Sequence, residues 1–149
     1  MVFFSDLFKT NNSNDLTEKH GFSIVGVSNY QDNFKKVLVR NRKYDTPLSK
    51  IKEDIYEYNL LETFNNVKLV EEPTNEFDPN AIYLEFKGKK LGYIKKGSTA
   101  RVRNLLKEDH KIKVIFFGGN VKGIIDGTNQ RVLLEKCLSC RIEIYTKKE

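Results

Sequence analysis

The chain has 149 residues, of which 39% are hydrophobic and 31% charged, and its net charge is +6. That length suits a single domain core, and the aliphatic and aromatic content lies well outside the disordered class. No apolar run approaches the roughly 20 residues that cross a bilayer, Met1-Val2-Phe3-Phe4 lacks the pattern of a signal peptide, and two cysteines are too few for a disulfide framework. A cytoplasmic protein without membrane contact is expected.

Residues 1–20 read as a polar tail, with Asn-rich turn chemistry at Thr10-Asn11-Asn12-Ser13-Asn14-Asp15. Phe3, Phe4, Leu7 and Phe8 have the spacing of one amphipathic turn. A first strand is expected from Phe22, with Ile24 and Val27. Between residues 31 and 58 the pattern is helical. Phe34, Val37 and Leu38 share a face, and a second helix is expected after Thr46-Pro47, with Leu48, Ile51, Ile55 and Tyr58 on one side.

The second half changes period. Val67 and Leu69, then Ile82, Leu84 and Phe86, alternate with polar residues as half-buried strands do. Lys87-Gly88-Lys89 is a tight turn returning through Leu91-Gly92-Tyr93-Ile94. A helix capped by Ser98 or Thr99 is expected from Ala100 to about Lys107. Further strands are expected at Ile112–Phe116, before the break at Gly118-Gly119-Asn120, and then at Val121–Ile125, Val132–Leu134 and Ile142–Tyr145. The expected fold is therefore α+β, a small OB-like or SH3-like β-barrel of about six strands with a few short helices. Its expected parts are a tail at 1–20, a barrel domain at 21–125 containing the helical insertion 31–58, and a C-terminal strand extension at 126–149 packed on the same domain.

Positive charge is concentrated. Residues 87–113 hold ten bases and two acids, a local +8, while the other 122 residues carry −2. A cationic patch on a balanced domain attracts polyanions, of which nucleic acid is the commonest; a lysine-rich solvated surface is the plain alternative. Catalytic patterns are missing from the sequence: no P-loop, GxSxG, HExxH or GxGxxG occurs. His20 and His110 have no nucleophile or metal partner at a recognisable spacing, and both read as structural. Cys137 and Cys140 form a lone CxxC without the second ligand pair that zinc needs. No enzyme activity, metal or other cofactor is expected.

The most distinctive stretch runs from Leu69 to Ile82. Two prolines and two asparagines fold Glu71-Glu72-Pro73-Thr74-Asn75-Glu76-Phe77-Asp78-Pro79-Asn80 into a compact loop between apolar strands. Asp78 reads as an Asx-turn acid, and Phe77 sits at the tip, either folded back as a lid or presented outwards. A calcium loop is a poor fit, because the ligand register and central glycine of an EF-hand are missing.

Together with Gly26-Val27-Ser28 and Leu91-Gly92-Tyr93-Ile94-Lys95-Lys96, this loop resembles the HIRAN domain, and the resemblance spans about Phe22 to Ile125. It implies a small OB-like barrel that binds DNA, notably single-stranded 3′ ends. The SWI/SNF-type motor and RING ubiquitin ligase attached to this module in large eukaryotic proteins have no counterpart in the sequence. By the same resemblance Phe77 stacks on a terminal base, Asp78 accepts a hydrogen bond from the 3′-hydroxyl, and Asn75 belongs to the loop of the site. Tyr93 lies beside the nucleotide, and Lys95 and Lys96 meet phosphate, with Arg101 and Arg103 as looser phosphate ligands. The second stacking aromatic falls at Ser28-Asn29-Tyr30, where strict alignment gives Asn29 and Tyr30 is the nearest ring. The 31–58 segment, longer than in the eukaryotic modules, is a candidate lid or homo-oligomer contact. The alternative function is a protein-interaction or dimerisation module that does not bind DNA.

Overall fold

A computed structural model describes residues 15–148, so the tail reading at 1–14 falls outside the described residues. Among the described residues the strands form two sheets. The larger has seven antiparallel strands: β1 (Leu16–Val25), β3 (Glu62–Thr63), β4 (Val67–Glu71), β5 (Ile82–Phe86), β6 (Lys89–Ile94), β7 (His110–Gly118) and β10 (Leu138–Lys147), in the order β3-β7-β10-β1-β6-β5-β4. The smaller pairs β2 (Ile55–Tyr56), β8 (Val121–Ile124) and β9 (Arg131–Leu134) in the order β2-β8-β9. The large sheet curls into a half-barrel, so the OB-like α+β architecture holds with seven strands in that sheet rather than about six.

Strand β1 joins the two halves of the curl. Residues 16–23 pair with β10, whereas Ile24 and Val25 pair with β6. It begins at Leu16, inside the segment expected to be a tail, and His20 is a strand residue bonded to Thr146 (3.1 Å). The residues there are polar because Thr17, Glu18 and Lys19 are exposed, and the pairing energy comes from β10, which is distant in sequence.

Alternation sets the core. Phe22 and Ile24 of β1, Val114 and Phe116 of β7, Cys140, Ile142 and Ile144 of β10, and Ile82, Leu84 and Phe86 of β5 all point inwards. Helix α1 (Gln31–Val37) inserts Phe34 against Phe116 (ring centroids 5.9 Å apart), and α2 (Thr99–Leu105) adds Val102 and Leu105. The Lys87-Gly88 turn has positive φ at both residues (50° and 79°), the two-residue hairpin geometry whose twist matches the strands it joins.

The second helix expected after Pro47 is instead a single 3-10 turn, Leu48–Lys50, followed by extended chain. Ile51 and Ile55 are buried as expected, but with Tyr44 in a separate cluster beside the small sheet. Asp54 Oδ1 accepts from the Ile124 amide (2.9 Å), Arg131 donates to the Ile51 carbonyl, and Lys122 donates to the Tyr44 and Thr46 carbonyls. These long-range bonds within the chain hold the segment extended, where a short isolated helix is marginal. The insertion thus packs against β8 and β9 of its own chain.

Gly92 is needed where β6 crosses β1. A Cβ built there would lie 2.7 Å from the Val25 carbonyl oxygen and 2.7 Å from Ile24 Cγ2. Backbone cannot retreat cheaply inside a paired sheet, so Gly92→Ala is expected to cost about 1–3 kcal/mol and to lower the melting temperature by about 2–4 °C per kcal/mol. A thermal melt followed by circular dichroism checks this, and an unchanged midpoint would refute the tight crossing.

Candidate nucleic-acid interface

The loop between β4 and β5 is closed by its own hydrogen bonds. The Glu72 amide donates to Ala81 O (2.9 Å) at the base, the Asn75 amide to Glu72 O (3.0 Å), and the Ala81 amide to Asp78 O (3.1 Å). Within this frame the Asn75 side chain is the internal brace. Its Oδ1 accepts from the amides of Phe77 (2.9 Å) and Asp78 (3.0 Å), fixing the backbone of the two tip residues. Asp78 Oδ1 accepts from the Asn80 amide (2.9 Å), the Asx turn expected from sequence. Phe77 does not fold back: it is 89% exposed.

The brace is anchored to β6. Asn75 Nδ2 donates to Glu72 Oε1 (2.8 Å), and Glu72 in turn accepts from Lys90 Nζ (2.6 Å) and from the Tyr93 hydroxyl (2.7 Å). Lys90 also donates to the Tyr93 oxygen (3.0 Å). Three tyrosine rings surround this ammonium, with centroids 4.3 Å (Tyr83), 5.0 Å (Tyr93) and 6.0 Å (Tyr30) away. Tyr30 and Tyr93 lie 6.4 Å apart and Tyr83 and Tyr93 6.3 Å apart. Tyr30, Asn75 and Tyr93 therefore meet at the foot of the loop that carries Phe77 and Asp78.

The other expected phosphate ligands are dispersed. Lys95 and Lys96 are exposed at the turn after β6 and make no ion pair among the described residues. Arg101 faces Phe22 and His20 on the α2 side of the barrel. Arg103 is bonded to the Glu71 carboxylate and to Asn80 O (3.1 Å), so it braces the far limb of the loop. Farther along, Lys113 pairs with Glu62 and Glu143. The +8 window is contiguous in sequence but divided in space among β6, α2 and β7.

Residues 17–147 match the family model of the HIRAN domain. The chain belongs to the HIRAN domain family. HIRAN domains bind nucleic acid and are generally non-catalytic. Comparison with curated proteins finds no match, and comparison with solved structures finds none either.

Three residues of the cluster at the foot of the loop were not singled out from sequence: Glu72, Tyr83 and Lys90. Signals for them existed. Lys90 lies in the cationic window, Glu72 stands in the Glu-Pro step that carries the resemblance, and Tyr83 alternates against the inward Ile82 and Leu84. Elsewhere, Cys137 is exposed and Cys140 buried, and burial pushes the Cys140 thiol up to about 12, far from a reactive thiolate. Among the described residues no three His, Cys, Asp or Glu side chains converge as metal ligands. No helix there is long and apolar enough to cross a membrane.

Electrostatics explain the order of the loop. Hydrogen bonds from Lys90, Tyr93 and Asn75 hold the Glu72 carboxyl at about 2, below its ordinary 4.5. Burial works against the Lys90 charge, but the bonds to Glu72 and Tyr93 outweigh it and push the ammonium upwards. Burial likewise raises the Tyr93 hydroxyl, against the pull of Lys90. Because the Glu72 value is depressed on folding, its contribution is complete above about pH 4.5 and fades as pH falls towards about 2. Glu72→Gln should lower the urea midpoint at pH 6 and flatten its decline over that acid window; parallel curves for the two proteins would contradict the assignment.

Proposed function

We propose that this HIRAN domain is a non-catalytic module that binds single-stranded DNA at its 3′ end. The observation that carries the reading is Phe77: a large ring, 89% exposed, at the tip of a loop whose backbone is held by Asn75 and whose base is ion-paired to the sheet. Exposing such a ring costs hydrophobic free energy, and a fixed ring in water is a ready platform for a base. Tyr93 and Tyr30 offer further aromatic surface at the foot of the loop, and Lys95 and Lys96 are free to meet phosphate.

Asp78 supplies the end preference. An acid repels a continuing phosphodiester strand but accepts a hydrogen bond from a free terminal hydroxyl. Its Oδ1 is engaged by the Asn80 amide, which fixes the carboxylate on the loop residue next to Phe77. The alternative is a protein-interaction role, supported by Tyr56, Leu133 and Leu134, which are exposed on the small sheet, and by Ile125, exposed just past the end of β8.

Fluorescence anisotropy with short labelled strands tests both. Free 3′-hydroxyl ends are expected to bind more tightly than 3′-phosphate or duplex ends. Phe77→Ala should weaken binding about tenfold, in line with a stacking contact of roughly 1–3 kcal/mol. Asp78→Ala should erase most of the difference between hydroxyl and phosphate ends, and equal binding of both by the unaltered protein would sink end recognition. No binding at low salt, with a mass that rises with concentration in sedimentation, would select the protein-interaction reading.

A further inference from the structure

The outward face of the large sheet continues well past the Phe77 loop. Register places side chains on it in rows two residues apart. Tyr83, Tyr93 and Val25 form one row, then Ser23, Arg141 and Ile115, then Gly21, Glu143 and Lys113, then Lys19, Tyr145 and Lys111. These positions alternate along their strands with core residues such as Phe22, Ile24, Leu84, Val114, Ile142 and Ile144, so the rows face away from the core. The middle of the face is low: Gly21 and Ser23 contribute little bulk, and a Cβ on Gly21 would meet nothing within 4 Å.

At its far end stands a second aromatic and cationic cluster. Phe64 packs edge-on to Tyr145 (centroids 5.5 Å apart) while remaining 41% exposed. Lys111 Nζ lies 4.7 Å from the Phe64 centroid and 5.5 Å from that of Tyr145, and among the described residues it has no acidic partner. The central acid, Glu143, is buried beneath Lys19, Lys113 and Arg141, whereas the Lys19 and Arg141 side chains are 59% and 47% exposed. The negative charge is sunk and the positive charge stands proud, which suits an anionic ligand.

We infer that this outer face is a second nucleic-acid contact, along which a single strand held at the Phe77 loop continues through the Gly21–Ser23 trough to Lys111, Phe64 and Tyr145. The inference rests on the end-binding reading above and extends it to the path of the strand. Six residues of strand rise separate the Tyr93 and Tyr145 rows, about 20 Å, the length of roughly six phosphates at 3.4 Å each and of fewer in a stretched strand. Rings for bases and lysines for phosphates are the two elements of sequence-tolerant single-strand binding.

Strand length separates the two sites. Anisotropy is measured on 5′-labelled thymidine strands of about three and about twelve nucleotides, both with free 3′ ends. The unaltered protein is expected to bind the long strand at least about tenfold more tightly. Phe64→Ala and Lys111→Gln should each remove much of that gain and leave the short strand unaffected, and Lys111→Gln should reduce the salt slope on the long strand by about 0.7. Phe77→Ala should weaken both lengths. Arg141→Gln should likewise weaken only the long strand, and a melting curve for each variant guards against loss of fold. If Phe64, Lys111 and Arg141 variants bind the long strand as the unaltered protein does, while Phe77→Ala still weakens both, the outer-face path is wrong and end binding stands. If the unaltered protein binds neither strand, both readings fall.

Discussion

Lys90 is the point on which the site depends. Its ammonium is half-buried among three tyrosine rings, where an isolated charge is costly, and the Glu72 carboxylate 2.6 Å away offsets that cost. Glu72 is also the first residue of the Phe77 loop, so the demand for charge compensation on β6 anchors the loop. From the same carboxylate, order passes through Asn75 to the amides of Phe77 and Asp78. A loop held in this way has already lost its freedom before a ligand arrives, and binding need not supply that ordering free energy.

A half-barrel has one packed face and one solvated face, and the two have different chemistry. The packed face excludes charge: Thr146 is the buried polar residue on it within the strands of the large sheet and is hydrogen-bonded to His20, while the buried Glu143 lies on the other face beneath Lys19, Lys113 and Arg141. The solvated face carries the tyrosines, the lysines and the acids that neutralise part of their charge. Membership of the HIRAN family makes nucleic acid the ligand class for this domain. The same acids limit where a polyanion can go: Arg103 and Lys113 are engaged within the chain, while Lys95, Lys96 and Lys111 have no acidic partner among the described residues.

The small sheet solves a separate problem. Residues between α1 and β3 form few regular elements, yet Ile51, Ile55 and Tyr44 are buried because β8 and β9 cover them. Hydrogen bonds from Lys122 and Arg131 to carbonyls of this segment satisfy backbone groups that no helix satisfies.

Local chemistry made much of this legible in the amino-acid order. Alternating apolar residues announced β5, β6 and β7; Lys87-Gly88 announced its hairpin; and the density of Pro, Asn and Asp between Glu72 and Asn80 announced a compact loop with Phe77 at its tip. These features depend on neighbours a few residues apart, which the sequence displays directly. Other features depend on partners far apart in the chain. Strand β1 starts at Leu16 because β10 pairs with it, the segment after Pro47 is extended because β8 and β9 bond to it, and Lys90, Glu72 and Tyr83 matter because the sheet brings them together. The +8 window shows the same limit from the other side, since bases adjacent in sequence were sent to different faces by strand alternation and by α2. By itself the sequence determined β5, β6 and β7, the turn, the loop and the family. Only the tertiary structure decided which charges compensate one another, because Coulomb and hydrogen-bond energies follow distance in space and not separation along the chain.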